Sequence, residues 1–372
     1  MRICIDIQPA VAQRAGVGRY TKNLVEHLGE FTGTDALRLF YFDFRGRGLS
    51  FPAPQAEVHP FRRIPGRCIQ QAWKRMDWPP FEWFAGPADL YHFPNFTIPP
   101  VSSAARTIVT IHDMSFFRYP HFAEERNLRF LQSTIHKTVE RADAILTDSR
   151  FSAREIAECL NVDPERIHAV HLGVSPECQR ASPASIDSLR GNLGLERPYL
   201  LTVGTVEPRK NLDFLLQVFE RLKAFDGDLV IAGMCGWKYE AILRKIRSSA
   251  LSHRIHYVEY IPDKDLPALY SGAELFLITS FYEGFGFPPL EAMACGTPVV
   301  SSSGGSLAEV LGNQAIVLDT FDIQAWTQAV EGVLSDTNLR QRLTSGGPGH
   351  ARTYDWRETA RQTWNVYRQV LS

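Results

Sequence analysis

Apolar runs of strand length alternate with helical patterns along the whole chain, and that order narrows the fold more than any other feature of the sequence. In the first half the runs ICIDI, LRLFYF, DLYHF, TIVTI and AILTDS are separated by helical periodicity at residues 20–28, 122–141 and 152–160. In the second half YLLTVG, LVIAG, IHYVEY, ELFLIT, TPVVSS and AIVLD alternate with helical stretches at residues 212–224, 239–249 and 324–334. Strand-helix-strand order predicts parallel sheets covered by helices. Between the halves, PECQRASPASIDSLRGNLGLERP at residues 176–198 is rich in Ser, Pro, Gly and charge, which predicts a link with a short helix. A chain of 372 residues is long for one core. Two doubly wound α/β domains are therefore expected, residues 1–180 and residues 190–355, with ligands beyond the carboxyl ends of the strands and the cleft between the domains as the expected site.

Composition removes several classes of function. With 44% hydrophobic and 22% charged residues the chain is neither disordered nor fibrous, and a net charge of -1 gives no field for nucleic acid as the main partner. The chain starts with the strand-like RICIDI, and no apolar run reaches the ~18 residues of a membrane span, so a cytoplasmic protein is expected. Six scattered cysteines predict neither a disulfide framework nor a zinc site.

The chemistry-bearing residues cluster where strands end. After ICIDI comes QPAVAQRAGVGRYT, in which Gly16 and Gly18 precede a helix. The loop is too long for a dinucleotide fingerprint, and Tyr20 and Thr21 stand where the third glycine would be needed. Either these are ordinary turn glycines, or the loop brings backbone N–H groups to a phosphate or sugar. TIVTI ends in His112 and Asp113, where His112 reads as structural or as a site residue. In YLLTVGTVEPRKN, Arg209 and Lys210 stand before a helix, so two cations and a positive helix end can converge on one anion. A diphosphate suits that arrangement, and an exposed basic turn is the alternative.

The stretch FYEGFGFPPLEAMACGTPVV, residues 281–300, places Glu283 and Glu291 in a run that is otherwise apolar. Pro288 and Pro289 predict a helix start and Gly296 its end, with Glu283 in the preceding loop and Glu291 in the first turn. Gly284 and Gly286 let the loop approach a ligand closely, and a helix N-terminus offers unpaired N–H groups to an anion. Three other features read as structural. Asp226-Gly227-Asp228 sits in a turn entering a strand, and the pairs His168 with His171 and His253 with His256 lack a third ligand. No metal is expected.

The combination of GTVEPRKN with LPALYSGAELFLITSFYEGFGFPPLEAMACGTPVVSS, together with the N-terminal GVGRY element, resembles the signature of retaining glycosyltransferase family 4, the group 1 glycosyltransferases. Within it the chain is most similar to bacterial mannosyltransferases of cell-surface polysaccharide synthesis. The resemblance runs along nearly the whole chain. It implies a GT-B fold, two Rossmann-like domains facing across a cleft, with acceptor bound by the first domain and nucleotide-sugar donor by the second. It also implies that the helix at residues 356–372 packs back on the first domain. By the same resemblance Glu291 binds the ribose hydroxyls, Glu283 lies by the donor sugar, and Gly284, Phe285 and Gly286 line the sugar and phosphates. Arg209 and Lys210 hold the diphosphate, and His112 contacts the donor sugar. The implied reaction is metal-independent transfer of a sugar, mannose from GDP-mannose, to a saccharide or polyprenyl-linked acceptor in O-antigen or exopolysaccharide synthesis. A UDP-sugar donor, or a phosphorylase or epimerase of the same fold, is the alternative.

A basic patch lies between the second and third apolar segments. Arg62, Arg63, Arg67, Lys74 and Arg75 lead into the aromatic stretch WPPFEWF. Basic residues beside exposed aromatics suit an anionic membrane surface, where a polyprenyl-linked acceptor would be found, and a solvated helix with a core-packed aromatic loop is the other reading.

Overall fold

The computed structural model describes residues 1–13, 16–102 and 104–372. The chain divides into two compact units. One comprises Met1–Phe117, Asn127–Gly173 and Trp356–Ser372, the other Arg118–Arg126 and Val174–Asp355. The division thus falls at Gly173 where the sequence placed it near residue 180, and one short segment of the first half groups with the second unit.

The first unit is built on seven parallel strands: β1 (Arg2–Asp6), β2 (Ala36–Phe42), β3 (Glu57–Phe61), β4 (Leu90–Phe93), β5 (Arg106–Thr110), β6 (Ala144–Thr147) and β7 (Ile167–Ala169), in the order β3-β2-β1-β4-β5-β6-β7. The second has six: β8 (Tyr199–Val203), β9 (Asp228–Ala232), β10 (Ile255–Val258), β11 (Leu275–Ile278), β12 (Val299–Ser302) and β13 (Ile316–Leu318), in the order β10-β9-β8-β11-β12-β13. Each sheet winds outward in both directions from its first strand. The order reverses between β1 and β4 and between β8 and β11, and such reversals leave a crevice beyond the strand ends where ligands bind. Residues of β4, β6, β11 and β12 are buried throughout, which is why these strands read as unbroken apolar runs.

Two strands go beyond the sequence expectation. β3 contains Pro60, which cannot donate to a ladder, and the strand lies at the sheet edge where that costs least. β7, three residues long at the other edge, is too short to show a period. A helix at Thr337–Ala351 also forms despite Gly346, Gly347, Pro348 and Gly349. Asp336 caps its start by accepting from the backbone N–H groups of Asn338 and Leu339, and Leu343 and Gly347 are buried.

The helix Trp356–Leu371 belongs to the first unit. Trp356 lies 6.3 Å from the ring of Tyr20, and the hydroxyl of Tyr367 bonds Nδ1 of His92 at 2.6 Å. The segment Arg118–Arg126 is held on the second unit by the Phe122 ring, stacked 5.1 Å from Phe281, and by Trp237, whose Nε1 donates to the Phe122 carbonyl. Among the described residues no helix is long and apolar enough to cross a membrane.

Candidate active site

β8 and β11 are hydrogen-bonded neighbours at the reversal of the second sheet, so the loops that follow them share one edge. The loop after β8 turns at Gly204 and makes a single helical turn at Pro208–Lys210. Asn211, in the left-handed region at φ 52°, then starts the helix Leu212–Arg221. Gly204, Lys210, Thr279 and Ser280 line a small pocket at this edge.

The loop after β11 brings Glu283 into this corner. Lys210 Nζ lies 2.6 Å from Glu283 Oε1 and Arg209 Nη1 2.8 Å from Oε2, while the Ser280 hydroxyl donates to Oε1 at 2.5 Å. Arg209 also donates to the Tyr282 carbonyl and to Glu207, whose Oε1 is 2.6 Å from Nη2. Glu207 and Glu283 are both buried. Burial alone would push the Glu283 carboxyl up, but Arg209 and Lys210, with hydrogen bonds from Lys210 and Ser280, hold it down at about 2. The structure brings Arg209, Lys210 and Glu283 together, and the anion on which the two cations converge in it is Glu283. Glu207 and Ser280 were missed, since neither stands out from an ordinary turn.

A second loop clamps the first. Ser306 donates from its backbone N–H to the Glu283 carbonyl at 2.9 Å and from its hydroxyl to the Phe285 carbonyl at 2.9 Å. A Cβ at Gly305 would stand 2.2 Å from the Glu283 carbonyl oxygen, so only glycine permits this approach. The pair Gly304-Gly305 directly after the VVSSS strand was the sequence signal for it. Gly284, Phe285 and Gly286 are buried, and Gly286 precedes the helix Phe287–Ala294.

That helix starts one residue earlier than its prolines suggested, which places Glu291 beyond the first turn and corrects its expected position. Glu291 is 1% exposed, and its Oε2 accepts from the Tyr270 hydroxyl at 2.8 Å. Its carboxylate is fixed by packing and by Tyr270.

The remaining predicted residues lie in the first unit. Gly16 precedes the helix Val17–Leu28, and Gly18 lies in its first turn, where a Cβ would stand 2.1 Å from the Gln13 carbonyl oxygen. Gly18 thus permits a close approach of the chain to itself, while Gly16, with open space where a Cβ would stand, supplies a positive φ of 54°. His112, two residues beyond β5, is 8% exposed. Its Nδ1 lies 2.8 Å from Asp148 Oδ2 and its Nε2 3.1 Å from the Pro94 carbonyl oxygen. Asp148 follows β6 directly and was not singled out from the sequence.

Other expectations resolve locally. Asp228 begins β9 and is buried against His256 of β10 at 2.9 Å, so this histidine does have a carboxylate partner, whereas Asp226 is exposed beside Arg197. Among the described residues no group of three or more His, Cys, Asp or Glu is placed to hold a metal. The basic patch divides: Phe81 and Phe84 are buried in the core, while Ile64, Met76, Trp78 and Trp83 are exposed, with Trp78 and Trp83 in edge contact at 5.1 Å. Arg62 pairs with Asp43, Lys74 lies over the Phe130 ring, and Arg63, Arg67 and Arg75 are exposed.

Family models match both units, Glycosyltransferase Family 4 over residues 14–178 and Glycosyl transferases group 1 over residues 186–349. The chain is 32% identical to O-antigen chain mannosyltransferase B of Escherichia coli over 99% of its own length and 100% of that protein. It belongs to the group 1 glycosyltransferases. Within the family this glycosyltransferase stands close to mannosyltransferases, and it is also 29% identical over 78% of its length to the serotype-specific mannosyltransferase WbdA of Escherichia coli, of which the match covers 36%. Its fold is GT-B. A sucrose-phosphate synthase from Thermosynechococcus elongatus superposes with a TM-score of 0.78 at 18% identity, covering 100% of this chain and 99% of that one. Anabaena HepE in complex with UDP-glucose gives 0.75 at 17% identity, covering 99% and 100%.

Proposed function

We propose that this glycosyltransferase transfers mannose from GDP-mannose, with retention at the anomeric carbon and without a metal, to a saccharide or polyprenyl-linked acceptor during synthesis of a cell-surface polysaccharide. The observation that carries the reading is the end-to-end relationship, at 32% identity, with an O-antigen chain mannosyltransferase. The second unit binds the donor and the first the acceptor.

Expelling a nucleoside diphosphate from an oxocarbenium-like centre requires fixed positive charge at the leaving group. Arg209 and Lys210 supply it. In the protein two buried carboxylates, Glu207 and Glu283, balance these two cations. The diphosphate enters by exchange, drawing the cations from Glu283 and turning that carboxylate towards the sugar hydroxyls. Its low pKa, set by those two cations against burial, keeps it ionised until the donor enters. There Glu283 orients the sugar and stabilises developing positive charge. Glu291 accepts from the ribose hydroxyls, the loop Gly284, Phe285, Gly286 lines the sugar and phosphates, and Gly16, Gly18 and His112 serve the donor from the first unit. Ile64, Met76, Trp78 and Trp83 with Arg63, Arg67 and Arg75 hold the enzyme to the inner face of an anionic membrane.

Calorimetric titration with GDP, UDP, ADP and their sugar conjugates in the presence of chelator tests the donor. Selective binding of GDP and GDP-mannose is expected, and selective UDP binding would replace the sugar while keeping the reaction class. Binding that appears only after divalent metal is restored would remove the metal-independent part. Failure to co-sediment with anionic liposomes at low salt would remove the membrane contact.

A further inference from the structure

Two buried histidines at the strand ends of the first unit are held in opposite ways. His92, in β4, has hydroxyl groups at both ring nitrogens, Tyr367 at 2.6 Å and Thr110 at 2.8 Å. A hydroxyl donates or accepts, so one neutral tautomer satisfies both contacts. Burial holds His92 neutral, with its pKa pushed down to about 3. His112 has acceptors at both nitrogens: the Asp148 carboxylate at Nδ1 and the Pro94 carbonyl at Nε2. A neutral ring there would aim a lone pair at an oxygen in a site from which water is nearly excluded, whereas an imidazolium donates to both.

We infer that Asp148 is a positioning residue that holds His112 as an imidazolium, so that His112 serves the transfer reaction as a fixed cation and N–H donor and not as a base. The second clause rests on the proposed glycosyl transfer; the first does not. The place of Asp148 is set by the turn from β6 into the helix Arg150–Leu160, which Ser149 caps by accepting from the Ser152 N–H. Ser152 in turn donates to the His112 carbonyl at 3.3 Å, so the same cap fixes both partners. The other ionisable groups facing the pair are few. Asp113 of the same loop favours the charged ring but disfavours the Asp148 carboxylate, whose pKa burial pushes up, while His112 and His171 favour that carboxylate; His92, held neutral, adds no charge. Tyr20, from the helix Val17–Leu28, meets the ring edge-on at 4.8 Å. Burial lowers the His112 pKa, but Asp148, the Pro94 carbonyl and Asp113 together raise it above the ordinary histidine value.

A charged ring with both N–H groups engaged has no lone pair with which to take a proton. It can lend positive charge to a departing diphosphate or share an N–H with a sugar oxygen, and it loses both abilities when neutral.

The test uses the full-length protein labelled with 15N-histidine. At pH 7 the ring nitrogens of His112 should both carry protons while His92 shows one protonated and one bare nitrogen. In Asp148→Asn burial should dominate, so that the His112 pKa falls below the ordinary histidine value and one ring nitrogen is bare at pH 7. Turnover of that variant should then lie closest to wild type at the acid end of the profile and fall below it roughly tenfold for each pH unit above the lowered pKa. Asp148→Glu should restore both the spectrum and the profile. A bare nitrogen on wild-type His112 at pH 7 would overturn the charge state. An Asp148→Asn pH profile parallel to wild type would overturn the positioning role even if transfer is confirmed. Should no donor be turned over, the nitrogen shifts still decide the charge state, so the two failures are distinct.

Discussion

Beyond β8 and β11 two cations and two carboxylates are packed within hydrogen-bond reach of one another, whereas at the corresponding reversal of the first sheet hydroxyls and imidazoles carry most of the polar contacts. Glu283 meets Arg209 and Lys210 at 2.8 and 2.6 Å, while His92 bridges the Tyr367 and Thr110 hydroxyls and Tyr20 bonds Thr110 in turn at 3.0 Å. The same strand order thus presents different chemistry. In the proposed reaction the paired charges are traded, the two cations leaving Glu283 for the diphosphate as that carboxylate turns to the sugar hydroxyls. Hydroxyl networks have nothing to trade and serve to hold shape. The His112–Asp148 pair departs from this pattern, with a carboxylate facing an imidazole beside those hydroxyl contacts.

Removing one cation from the second unit should separate the two regions most sharply. Lys210→Ala is expected to lower turnover at saturating donor by roughly 100- to 1000-fold, the cost of losing one donor to a developing anion. Unchanged turnover would mean that the leaving group is neutralised elsewhere. Acid titration should come next, with opposite signs for the two regions. Glu283 has a folded pKa of about 2 against an ordinary 4.5, so its contribution is complete above 4.5 and is lost as pH falls towards 2, on the order of 3 kcal/mol. The His112 pKa is raised, so its contribution is complete below 6.5 and is lost as pH rises through the folded value. Urea melts across pH would show both slopes, and in Glu283→Gln only the acid-side loss should shrink.

Glu291→Ala should weaken nucleotide binding by about 1.5–3 kcal/mol in calorimetry, through lost hydrogen bonds to a charged acceptor. Wild-type affinity would remove its ribose role and leave it as a buried partner of Tyr270. The smallest effect is expected for Tyr367→Phe. It removes the hydroxyl from His92 and should cost about 1 kcal/mol in urea unfolding with donor binding unchanged, as suits a group that holds shape. A large loss of donor affinity instead would erase the distinction between the regions.

The sequence displayed the central strands because parallel strands buried on both faces become continuous apolar runs, and it concealed β3 and β7 because an edge strand with Pro60, or with three residues, leaves no such trace. Arg209, Lys210 and Glu283 could be named because each breaks a local expectation of turn or core. What could not be read was their mutual arrangement. Whether two cations face solvent or a carboxylate depends on which strands are neighbours, and β8 meets β11 only after three intervening helices and two other strands. Asp148 stayed hidden for the same reason, since AILTDSRFS reads as strand and helix cap, and only the pairing of β5 with β6 puts its carboxylate against His112.

Because the helix Trp356–Leu371 belongs to the first unit, the two units are completed in the reverse of their order along the chain. During synthesis every residue of the second unit has been made once Asp355 is joined, while the first still lacks Trp356, Trp364 and Tyr367, all of which it buries. Until then His92 waits for its hydroxyl and the face of the helix Val17–Leu28 that receives Trp356 is open. A ribosome pausing in the codons of that helix would hold a first unit still open at this face, the stage at which a chain of this design is most exposed to aggregation.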